Sequence, residues 1–183
     1  RLYRQSLSLV PKDALVLNNL AWILMNQVGI NEEVRSLCDK AYALDNQSSY
    51  ILDTVGWSYV LEGNAQKAVE LLLGAIRATE QGSAEMYDHL GDAYWLQGET
   101  QNAFRAWQTA GALLHADHTR RDAIEGFATI SFAVWGITVG SPEVLYDLEV
   151  GDLYQRLKEK LAIVDKTTTS KTNELNTSEI GAN

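Results

Sequence analysis

Apolar and polar positions repeat along this chain with a period of 35 residues, and within each period they follow helical spacing. Ala21, Gly56 and Gly91 stand 35 positions apart, inside Asn19-Leu20-Ala21-Trp22-Ile23-Leu24, Thr54-Val55-Gly56-Trp57-Ser58-Tyr59 and His89-Leu90-Gly91-Asp92-Ala93-Tyr94. Each copy continues through Gly29 and Val34, Gly63 and Ala68, or Gly98 and Ala103. It ends on a bulky residue and an alanine: Cys38 and Ala41, Leu72 and Ala75, Trp107 and Ala110. The pattern predicts helical hairpins. A small residue in the first helix lets the second approach closely, and the glycine ends the first helix and turns the chain. Residues three and four apart then give the second helix one apolar face. A lone hairpin leaves apolar surface open, so the hairpins are expected to stack into an all-α solenoid.

The flanks read differently. Residues 1–12 fit the second helix of a preceding repeat, with Tyr3 bulky, Ser6 small and Pro11 closing it. The expectation is that further repeats lie upstream, the alternative being an N-terminal cap. Beyond His118 the signature fades, and residues 126–142 become apolar and uncharged. Ser141-Pro142-Glu143 is a good helix start. Tyr146, Val150, Leu153, Leu157 and Leu161 follow at helical spacing as an amphipathic helix. These segments are expected to cap the solenoid, with Phe127–Val139 as a docking or lipid-facing surface in the sharper reading. From Asp165 the chain is rich in Thr, Ser and Asn without apolar periodicity, which predicts a disordered tail.

The order Val55, Gly56, Tyr59, Gly63, Ala68, Leu72, Ala75 resembles the tetratricopeptide repeat (TPR) family, and so does Leu90, Gly91, Tyr94, Gly98, Ala103, Trp107, Ala110. The first copy departs twice, with Leu24 at the aromatic position and one extra residue in the turn before Gly29. The resemblance implies a right-handed superhelical solenoid of helix-turn-helix hairpins with C-terminal capping helices. The expected organisation is a preceding second helix (1–12), repeats at 13–47, 48–82 and 83–117, capping helices at 118–164 and a tail at 165–183. Leu52-Asp53-Thr54-Val55-Gly56-Trp57 also resembles repeats common in bacterial proteins, which makes the periplasmic side of the cell envelope a candidate home beside the cytoplasm.

Charge narrows the partners. The net charge of −9 argues against binding a phosphate backbone, which needs clustered lysines and arginines, so no nucleic acid is expected. No apolar run is long enough for a membrane span. The single cysteine, Cys38, rules out an intrachain disulfide; it holds a bulky second-helix position and reads as a core thiol. His115 and His118 flank Asp117 at a spacing that suits two metal ligands, but no third ligand accompanies them, and no metal or cofactor is expected. His89 reads as solvent-facing or packed. No phosphate-cradling loop or nucleophile motif occurs, so the chain is not expected to be an enzyme.

The TPR resemblance implies a concave groove lined by the first helices, holding a protein or peptide. Its groove positions map to Leu15, Asn18, Trp22, Met25 and Asn26, then Tyr50, Asp53, Trp57, Val60 and Leu61, then Glu85, Asp88, Asp92, Trp95 and Leu96. The candidate partner-binding residues among them are Asn18, Trp22, Tyr50, Asp53, Trp57, Glu85, Asp88, Asp92 and Trp95. Of the basic and amide groups with which some family members clamp a C-terminal carboxylate, only Asn18 has a counterpart. Aromatic anchors and carboxylates point instead to a peptide with apolar and basic residues. The expected role is an interaction scaffold or adaptor within a multiprotein complex. The alternatives are a structural subunit held through its convex face or terminal helices, and the repeat region of a larger enzyme.

Overall fold

The computed structural model describes residues 2–114, 116, 153 and 155–163, and every regular element among them is a helix. They fall in two compact units, Arg1–Ala106 and Trp107–Asn183. The first holds α1 (Leu2–Leu9), α2 (Ala14–Val28), α3 (Glu32–Leu44), α4 (Ser49–Leu61), α5 (Ala65–Arg77) and α6 (Ala84–Leu96).

Side chains set most of the helix starts. Asp13, Asn31, Asn64 and Ser83 each accept a hydrogen bond from the backbone N–H three residues on, which satisfies one of the free amides of a first turn. The turn before α4 works differently: Asp45 Oδ1 accepts from the amides of Gln47 and Ser48, both at 3.0 Å. Gly63 and Gly98 end α4 and α6 at φ of 80° and 83°. In each turn the glycine and its successor donate to the third-last and fifth-last carbonyls before them, a paired closure that needs this left-handed backbone. The extra residue expected in the turn before Gly29 lies elsewhere. It lengthens α2, which has 15 residues against 13 in α4 and α6, and Gly29 follows the helix directly.

α2 packs on α3 and α4 on α5, forming hairpins, while α2, α4 and α6 touch along one row. The approach is closest at Gly56, where an added Cβ would lie 2.8 Å from Leu72 Cγ. Ala21, Ala41, Ala68, Ala75 and Ala93 are fully buried, so the small positions of the sequence pattern are the tight contacts of the fold. Cys38 lies in this core, and burial, partly offset by a hydrogen bond with Ser58, pushes its thiol up to about 11. It is therefore protonated and unreactive at neutral pH.

Helical residues 100–114 (α7) bury Ala103 and Ala106 in the first unit. In the second unit Trp107, Ala110, Leu114, Leu153 and Leu157 are buried. Lys160 Nζ lies 5.6 Å from the Trp107 ring centre. The capping segment at 118–164 falls mostly outside the described residues, although 155–163 are helical. Also outside are His115, Asp117, His118, Phe127–Val139, the Ser141-Pro142-Glu143 helix start and the tail at 165–183.

Candidate functional site

Residues at i, i+3, i+4 and i+7 share one helix face. On α2 these are Leu15, Asn18, Asn19 and Trp22; on α4, Tyr50, Asp53, Thr54 and Trp57; on α6, Glu85, Asp88, His89 and Asp92. Because these helices lie in a row, the 35-residue period sets chemically different groups side by side. A cleft of about 300 Å³ opens along this face, lined by Leu15, Asn18, Asn19, Trp22, Tyr50, Asp53, Thr54 and Glu85.

The cleft brings together five of the nine residues picked from sequence: Asn18, Trp22, Tyr50, Asp53 and Glu85. Tyr50 is 68% exposed at its rim. Asn18 is only 4% exposed, and its Oδ1 has no hydrogen-bond partner among the described residues. Trp57, Asp88, Asp92 and Trp95 do not line the cleft. Trp95 is exposed, Asp92 half-buried, and Trp57 half-buried against His89. Asp88, expected to present a carboxylate to a ligand, is 1% exposed and lies inside the helix row. Met25, mapped to the groove by the same resemblance, is also buried, among the core side chains.

His89, read from sequence as solvent-facing or packed, is packed, with a polar partner that the sequence did not reveal. It is 2% exposed, and its Nδ1 lies 3.0 Å from Asp53 Oδ1. Its ring stacks on Trp57, with centres 4.5 Å apart, and tilts against Trp22 at 5.7 Å. Burial works against the charged imidazole, but the Asp53 carboxylate and its hydrogen bond, helped by Glu85 and Asp88, outweigh it and raise the imidazole above its ordinary range. The pair ties α6 to α4 and fixes the Asp53 carboxylate at the cleft wall. A signal was available: Asp53 and His89 are one repeat plus one residue apart, which places them opposite each other on neighbouring first helices.

Comparison with solved structures bears on the architecture. A chain described as "Crystal structure of MamA" superposes with a TM-score of 0.51 at 18% identity, covering 92% of this chain and 87% of that one. All described elements are helices, and α2 to α5 pair as hairpins whose first helices line up with α6. The fold is a tetratricopeptide-repeat solenoid. A second chain, "Crystal structure of MamA protein", gives a TM-score of 0.47 at 21% identity, covering 76% of this chain and 85% of that one. No family model matches this chain, and no curated relative matches it. No described helix is long and apolar enough to cross a membrane.

Proposed function

We propose that the chain is a protein-interaction module that holds a segment of another protein against the face formed by α2, α4 and α6, as a scaffold or adaptor in a larger assembly and without catalytic activity of its own. The observation that carries this reading is the cleft itself. It combines an exposed tyrosine, a half-buried tryptophan, carboxylates and an asparagine oxygen without a donor. Aromatic rings offer stiff, large contact areas, and the polar groups around them fix orientation. A carboxylate-clamp role finds no support, since none of the lining residues is basic.

A second reading has its own observation. Leu2, Leu9 and Val10 are exposed on and just after α1, beside an open hollow between α1 and α2. Contact through that end suits a structural subunit held by a terminal helix.

Capture from a native extract, read by mass spectrometry, separates the two. The full chain serves as one bait and Tyr50→Ala with Glu85→Lys as the other, after circular dichroism has shown equal helicity. Both positions are exposed, so folding should survive. Loss of a specific partner from the altered bait supports the cleft. Equal retention by both baits sinks it and directs attention to α1.

A further inference from the structure

We infer that the cleft between α2, α4 and α6 seats the guanidinium of an arginine side chain carried by the bound segment. This rests on the interaction reading above and names the side chain that the cleft selects. The first ground is Asn18: its side chain lines the cleft, and its enclosed carbonyl oxygen lacks a donor among the described residues. Buried acceptors in folded proteins are almost always paired, with protein, water or ligand, and a donor on the bound segment is one way to complete this one. The second ground is charge, since Asp53 and Glu85 bring carboxylates to the lining and no lysine or arginine does. His89 engages Asp53 through Oδ1 and holds that carboxylate in a fixed orientation, a prepared acceptor on the cleft wall.

The third ground selects among cations. Trp22 and Tyr50 line the same cleft. A guanidinium is planar and weakly hydrated, stacks on aromatic faces, and offers donors on both edges of a rigid fork. It can meet a carboxylate and an amide oxygen while its face lies on a ring. A lysine ammonium is a compact, strongly hydrated point charge and gains less from such walls. The methylene stem of arginine has Leu15 to pack against at the rim.

The test is an NMR titration of the full chain with short alanine-based peptides that differ only at their central residue: arginine, lysine, citrulline or glutamate. Citrulline keeps the shape of arginine and removes its charge. The signals to follow are the Asn18 side-chain amide and the Trp22 indole N–H. The arginine peptide should move both and bind about ten-fold more tightly than the citrulline peptide, since charge-assisted, two-pronged hydrogen bonds are the stronger kind. It should also outrank lysine. Asn18→Leu should remove the preference. Should that buried change unfold the chain, Glu85→Gln on the exposed side carries the test and should reduce the arginine advantage several-fold. Equal binding of arginine, lysine and citrulline in the cleft overturns the guanidinium assignment and leaves the groove reading standing. Failure of every peptide to move the cleft signals overturns both.

Discussion

Set side by side, the two rows of helices in the first unit bury different chemistry. α3 and α5 enclose only apolar side chains: Val34, Leu37, Cys38 and Ala41 on one, Ala68, Leu71, Leu72 and Ala75 on the other. The row of α2, α4 and α6 encloses Asn18, Asp53, Thr54, Ser58, Asp88 and His89, which are all the buried polar residues among those described. The difference follows from position in the stack. α4 packs against α2, α3, α5 and α6, so little of its circumference is left for solvent, and polar groups there must find partners inside. Ser58 finds the Val55 carbonyl at 2.6 Å and Asp53 finds His89, whereas the Asn18 oxygen finds none. One row is held mainly by packing, with the Cys38 thiol meeting Ser58. The other adds polar pairing, and the candidate site lies where that pairing is incomplete.

The largest effect is expected from the apolar row. Leu72 is fully buried against Gly56, and Leu72→Ala should destabilise the first unit by about 2–5 kcal/mol in urea unfolding, through lost contacts and the cavity left behind. A loss below about 1 kcal/mol would mean that close packing at Gly56 matters little.

Next comes the polar row. Asp53→Asn should lose about 1–3 kcal/mol at pH 6, because the buried imidazole loses its ionic acceptor. The sign of the pH effect follows from the direction of the shift. Facing His89 are Asp53 from α4 and Asp88 and Glu85 from α6, while α2 contributes no ionisable group. Together they raise the imidazole above its ordinary value of 6.5, so the stabilisation is complete below that value and is lost as pH climbs through the raised one. Melting temperature of the unaltered chain should therefore fall from pH 6 upward across that window. The slope should vanish in His89→Gln, and a slope that persists there would assign it to another group.

Smaller still is Asn18→Leu. Replacing an amide whose buried oxygen is unpaired by an apolar side chain of similar size should leave stability within about 1 kcal/mol, with a gain the more informative sign. A larger loss would show that Asn18 already has a structural partner. Lys67→Ala, which breaks an exposed pair with Glu70 at 2.9 Å, sets the floor: a change within about 0.5 kcal/mol.

The apolar row was legible from sequence because its signal is the one that repeats. Ala68, Leu72 and Ala75 are spaced by four and three, and the same spacing recurs at Val34, Cys38 and Ala41. The glycine turns at Gly63 and Gly98 were equally plain, while the position of the extra residue before Gly29 was not. A longer helix and a longer turn use the same residues, and the choice rests on the Gly29 geometry. The polar row was legible only in part. Asn18, Asp53 and Asp88 hold one repeat position, and reading it as groove-facing did not reveal how much of that face the neighbouring helices cover. His89 escaped because Asn19 and Thr54 occupy its place in the other copies, so nothing periodic marked it. Its role comes from a diagonal contact with Asp53, which a column-by-column alignment does not display.

That diagonal contact also bears on cooperativity. In a linear array each repeat touches only its neighbours, so opening can proceed one hairpin at a time from an end. His89 lies on α6, shares a proton site with α4 and rests its ring against Trp22 on α2. Fraying of α6 thus removes a contact from a helix two places away along the row, and amides in α2 and α6 should exchange with solvent as one unit instead of in sequence.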